Sequence, residues 1–72
     1  MENTTTFATE IERNGNEYLV STIQLENGRW ETIVFFTRNF WPQEVWARRV
    51  NTYAEAVEDH NWAVKTWQPE GT

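Results

Sequence analysis

Two Asn-Gly dipeptides, Asn14-Gly15 and Asn27-Gly28, constrain this chain more than any other feature. Asparagine and glycine tolerate the positive φ angles of tight hairpin turns, and alternating segments lie on either side of both. The chain around them therefore reads as an antiparallel meander whose pairing depends on loop length. Phe7, Thr9 and Ile11 share one side of a two-residue period; Leu19, Ser21, Ile23 and Leu25 share one side of the next segment. A three-residue turn centred on Gly15 sets Ile11 opposite Leu19 and Phe7 opposite Ile23. A two-residue Asn14-Gly15 turn pairs Ile11 with Tyr18 instead and moves the larger apolar set to the other side. The three-residue loop is the expectation. At Asn27-Gly28 a two-residue connection serves, with Leu25 facing Trp30, Ile23 facing Thr32, Ser21 facing Val34 and Leu19 facing Phe36.

The segment from Arg29 to Thr37 is apolar on both sides, because Ile33 and Phe35 occupy the face opposite Trp30, Val34 and Phe36. It is expected inside the sheet with its second face at least partly covered, and Tyr18 and Val20 are expected on that same second face. Pro42 lacks an amide donor and suits a loop, with Phe40 and Trp41 tucking rings under an edge. Strand propensity resumes over residues 44–51. The same stretch also has spacing compatible with the start of a long helix, but Thr52 is the better helix start, since Thr52 and Glu55 make a capping-box pair. From there Tyr53, Ala56, Val57, His60, Val64 and Trp67 form one helical stripe, which Pro69 brings to an end. The expected fold is α+β: a four-stranded antiparallel meander, with strands near 5–14, 17–26, 29–38 and 44–51, and one helix near 53–67 packed on one face.

Seventy-two residues hold one core and not two, so residues 1–72 are read as a single domain, ordered over about 5–67 with polar termini at 1–4 and 68–72. Domains of this size bury only about 60% of their unfolded surface and often lean on a disulfide, a metal or a partner. The chain has no cysteine and one histidine, His60, which argues against a disulfide and a structural zinc site. Self-association or dense aromatic packing remains. Five tryptophans, four phenylalanines and two tyrosines suit both.

Eleven acidic against six basic residues give a formal charge of -5, which repels nucleic-acid phosphates at long range and disfavours direct nucleic-acid binding. The N-terminus is acidic and polar rather than basic and then apolar, and no apolar run approaches the roughly 20 residues of a membrane span. A soluble cytoplasmic protein, without membrane attachment, is the expectation.

Few residues suggest a reaction. His60 titrates near neutrality but lies on the apolar stripe, where a core-edge histidine bonded to the sheet is the stronger reading. Its neighbours Glu58 and Asp59 do not share its helical face. Glu31 is expected to pair with Arg48 or Arg49 rather than to form an acid and base site. There is no thiol nucleophile; the lone serine, Ser21, sits mid-strand; and no glycine-rich loop cradles a phosphate. A thin sheet with one helix also has little volume for a pocket. No catalytic, cofactor-binding or metal residue is therefore assigned, and the chain is read as non-enzymatic. Tyr18 and Phe35 offer flat rings, but Glu10, Glu12, Glu17 and Glu31 surround them and no cationic groove accompanies them.

Trp30-Glu31-Thr32-Ile33-Val34-Phe35, followed by Thr52-Tyr53-Ala54-Glu55-Ala56-Val57-Glu58-Asp59-His60, resembles small uncharacterised proteins of actinobacteria and their phages. Those proteins pair a W-E-T-x-V-F-like strand with a T-x-x-E-A-x-x-x-H helix start, and the resemblance spans roughly residues 17–64. It implies a shared sheet-plus-helix domain and carries over no catalytic or ligand residue. The extra tryptophans of this chain depart from the pattern. The functional expectation is a small interaction or structural domain acting through self-association, most simply as a homodimer that in turn presents a surface to another protein. Its interface is expected to use Tyr18, Ile33 and Phe35 on the second sheet face, with Trp41 and Trp46 beside them and Trp62 as a competing anchor. The alternative is an acidic inhibitor or nucleic-acid mimic that binds a basic protein site.

Overall fold

The computed structural model describes residues 6–37 and 41–69. Four strands, β1 (Thr6–Arg13), β2 (Asn16–Gln24), β3 (Trp30–Phe36) and β4 (Gln43–Val50), pair antiparallel in the order β1-β2-β3-β4, and one helix, α1 (Tyr53–Thr66), follows. This is the expected α+β meander with its C-terminal helix on one face. Residues 43–50 form a strand and not the start of a long helix. The polar residues 1–4 and the tuck of Phe40 beneath an edge lie outside the described residues.

Loop lengths at the two Asn-Gly turns are the reverse of those expected. Arg13 pairs with Asn16 and Ile11 with Tyr18, so Asn14-Gly15 is a two-residue turn. Both of its residues have positive φ, 55° and 81°, the arrangement whose twist matches that of the flanking strands. The second turn is longer. The Leu25 amide donates to the Arg29 carbonyl at 2.7 Å, and the Gly28 amide donates to the Leu25 carbonyl at 3.0 Å. Glu26, Asn27 and Gly28 thus form a three-residue loop, with Gly28 at φ 88° completing it. Asn27 contributes its side chain instead, accepting the Arg29 amide at 2.9 Å.

Both corrections act on β2, which turns over relative to its expected orientation. Phe7 lies opposite Thr22 rather than Ile23, and the next pairing aligns Tyr18 with Phe36, Val20 with Val34 and Thr22 with Thr32. Tyr18, Val20 and Thr22 therefore lie beneath the helix and are buried. Leu19, Ser21 and Ile23 face the other side. The larger apolar set does not decide the register, because the turn backbone favours the two-residue form and Tyr18 and Val20 fill the core as well. Thr22 also supplies a hydroxyl that the helix needs, as described below.

The β3–β4 register shifts once, between Val34 and Phe35: Trp46 lies opposite Val34 and Glu44 opposite Phe35. Val45 is the extra residue of this bulge, which twists the outer strand locally. Trp46, Arg48 and Val50 share the helix side, and Ala47 and Arg49 the other.

Thr52 caps α1 as its spacing predicts. Its side chain accepts the Glu55 amide at 3.1 Å, and the Glu55 carboxylate accepts the Thr52 amide at 3.2 Å. The buried residues Ala56, His60, Ala63 and Trp67 run down one face of the helix. The two alanines allow the helix to sit close to the sheet. Tyr53 is 55% exposed, yet its ring lies edge-on to Phe7 and Trp30 at 6.3 and 5.3 Å. At the far end Trp67 closes the core edge-on to Tyr18 at 4.9 Å. Arg13 holds this end from β1: its guanidinium donates to the carbonyls of Trp67 at 2.8 Å, Ala63 at 3.4 Å and Val64. A cation here satisfies the last open carbonyls and opposes the negative end of the helix dipole.

Candidate interaction surface

The chemistry closest to the core belongs to His60. Its Nε2 lies 2.9 Å from the Thr9 hydroxyl and its Nδ1 2.8 Å from that of Thr22, which is 2.7 Å from the Thr32 hydroxyl. Hydroxyls both donate and accept, so the chain Thr9–His60–Thr22–Thr32 can be satisfied with the proton on either ring nitrogen. Phe7 lies edge-on to the imidazole at 4.8 Å. Burial disfavours the charged ring and holds its pKa below the usual 6.5. Both nitrogens are thus used within the fold, in agreement with the reading of a histidine bonded to the sheet. Beside it, Asp59 Oδ1 meets Arg48 Nη1 at 3.5 Å, while Asp59 Oδ2 is buried without a hydrogen-bond partner among the described residues.

The sheet face away from the helix is built differently. Three successive cross-strand rows are Thr6–Ile23–Glu31–Arg49, Ala8–Ser21–Ile33–Ala47 and Glu10–Leu19–Phe35–Glu44. Leu19, Ile23, Ile33 and Phe35 form an apolar strip over the two central strands, each only half-buried. Glu10, Glu12, Glu17 and Glu44 gather at one end. At the other, Glu31 pairs with Arg49 at 3.2 Å, and Arg29 bonds Asn51 Oδ1 at 3.0 Å. Of the two arginines considered for Glu31, Arg49 is the partner.

This arrangement separates the residues expected at an interface. Ile33 and Phe35 lie on the open face as expected. Tyr18 does not; it is under the helix, with Phe36 at 5.3 Å and Trp67 at 4.9 Å. Trp46 points to the helix side of β4, where its ring lies 5.3 Å from that of Trp62. Trp62 is 44% and Trp41 83% exposed, so they belong to the β4–helix margin and the bend before β4. Leu19 and Ile23 replace Tyr18 on the open face. The short form of the Asn14-Gly15 turn was the signal that places them there.

A half-open depression of about 330 Å³ sits at the acidic end, lined by Glu10, Glu12, Glu17, Ile11, Tyr18, Leu19 and Thr37. Among the described residues no group of histidine and acidic side chains is arranged to hold a metal ion, and no helix is long and apolar enough to cross a membrane. No family model matches the chain, and no curated protein or solved structure matches it.

Proposed function

We propose that this protein is a non-enzymatic interaction domain that works by burying the open face of its sheet against a second copy of itself. The observation that carries this reading is the apolar strip Leu19, Ile23, Ile33 and Phe35, which crosses both central strands on the side the helix leaves bare. Antiparallel sheets commonly keep one face in water, but that face then alternates to polar side chains. Here the two middle strands place four apolar side chains on it, with Ser21 and Glu31 between and beside them. The complete use of His60 by structural hydroxyls supports a role other than catalysis.

A face of four strands, each about eight residues long, covers roughly 500 Å² in projection. Standard interfaces bury about 800 Å² per partner, so association in the micromolar range is expected. Sedimentation velocity across that range should show a monomer–dimer equilibrium. Phe35→Lys should shift it to monomer, because it sets a charged side chain within the apolar strip that the contact would bury, while Glu44 opposite it gives the ammonium a partner in the free chain. A monomer at every concentration rejects self-association, and a dimer indifferent to Phe35→Lys rejects this face.

A second reading is an acidic ligand for a basic protein site, supported by Glu10, Glu12 and Glu17 around the depression at one end of β1 and β2. It predicts a monomer, whose complex with a basic partner weakens steeply in salt.

A further inference from the structure

The charges on the open face select one packing of two copies over the other. Along the strands the face runs from a basic end, Arg29 and Arg49 with Glu31 bound to Arg49, to an acidic end, Glu10, Glu12, Glu17 and Glu44. The central row, Ala8–Ser21–Ile33–Ala47, is small apart from Ile33 and lies midway. Two sheets stacked about 10 Å apart with nearly aligned strands can be related by a two-fold axis along the strands or across them. With the axis along the strands, each row meets the same row of the second copy with β1 over β4. Glu10 then faces the second copy's Glu44, twice, and the acidic ends coincide.

With the axis across the strands, β4 lies over β4 and the row order reverses. Arg49 then faces the second copy's Glu44, again twice by symmetry, and each acidic end lies over a basic end. Ile23 meets Leu19, Phe35 meets Glu31, whose carboxylate is held by Arg49, and the central rows meet each other with Ile33 against Ile33. We infer that the partner of this face is a second copy packed antiparallel about a two-fold axis across the strands, with reciprocal Arg49–Glu44 pairs at the β4 rim. This rests on the self-association proposed above and adds its geometry. Rim charges of this kind fix orientation more than they add affinity, which is the role assigned to them here.

The pairs can be tested by charge reversal. Arg49→Glu and Glu44→Arg each create two like-charge contacts in their own homodimer. An equimolar mixture of the two variants restores both attractive pairs in the heterodimer. Each variant alone should sediment as a monomer at concentrations where the unaltered chain is dimeric, and the mixture should associate at least tenfold more tightly than either. Near-UV circular dichroism and denaturant midpoints establish that each variant is folded, which matters for Arg49→Glu because it sets two carboxylates opposite each other at Glu31. Folded variants that stay dimeric alone, or that fail to associate when mixed, overturn the antiparallel arrangement while leaving self-association in place. An unaltered chain that is monomeric throughout overturns both.

Discussion

Burying an imidazole under a helix costs free energy unless both ring nitrogens find partners, and this chain supplies them from two strands. Thr9 comes from β1 and Thr22 from β2, and Thr32 on β3 extends the chain of hydroxyls. Side chains far apart in sequence are thus tied to one point on the helix. The ring's lowered pKa, caused by burial, fixes the sign of a pH effect. Between the native pKa and 6.5 the unfolded chain binds more protons than the folded one, so stability rises with pH across that window. The contribution is fully present above the unfolded value, and it falls as pH drops through 6.5 towards the native pKa. Denaturant midpoints measured from pH 7.5 down to 5 should therefore decline, and His60→Gln should flatten that part of the decline even though it lowers the plateau. A parallel decline in the variant would assign the effect to carboxylates instead. Arg13 acts at the same scale, since one guanidinium reaches three carbonyls at the end of α1. Nothing in the residues around Arg13 announces this, because the contact spans 50 or more positions of sequence.

Elements formed by local rules are legible in the sequence, whereas their facing is set by single-residue differences in the turns. The capping box at Thr52 and Glu55 follows from short-range chemistry and the structure keeps it, and the four strands lie where expected with ends that differ by one or two residues. Counting apolar residues could not orient β2, because Tyr18 and Val20 on one side compete closely with Leu19 and Ile23 on the other. The deciding contributions are the turn backbone and the hydroxyl of Thr22, whose use becomes visible only once His60 is placed above it. Asn14 separates the two registers experimentally. In the two-residue turn it has φ 55°, a conformation that alanine adopts at a cost of about 1–2 kcal/mol. In a three-residue loop centred on Gly15, residue 14 would have an ordinary negative φ. Asn14→Ala should therefore lower the denaturant midpoint by an amount equivalent to about 1–2 kcal/mol, and Asn14→Gly by much less. Equal and negligible effects of both substitutions would restore the longer loop. The outer strand β4 carries its own protection: the bulge at Val45 and the pair Arg48 and Arg49 discourage edge-to-edge pairing along it.

On the scale of the whole molecule, with extents of 36 × 25 × 16 Å, the described residues form one sheet and one helix, a two-layer arrangement in which the helix covers one face of the sheet. Trp30 and Trp67 are spent in that core, while Trp46 and Trp62 pair at its margin and Trp41 stands outside it. A second copy on the open face would complete four layers, helix, sheet, sheet and helix, and enclose Leu19, Ile23, Ile33 and Phe35. Two such copies each carry a formal charge of -5, so their net repulsion opposes the contact at low ionic strength. Salt shortens the reach of that repulsion to about 10 Å at 0.1 M and leaves apolar burial in place. The two rim pairs between Arg49 and Glu44 are screened as well, but two local attractions weigh less than the repulsion between all the charges of both chains. Raising salt from 20 to 300 mM should therefore tighten the dimer several-fold in sedimentation equilibrium. Capture of a basic protein by the acidic end has the opposite dependence, because there the long-range charges attract. Dissociation of the dimer on adding salt would mean that charge, and not the apolar strip, holds the two copies together.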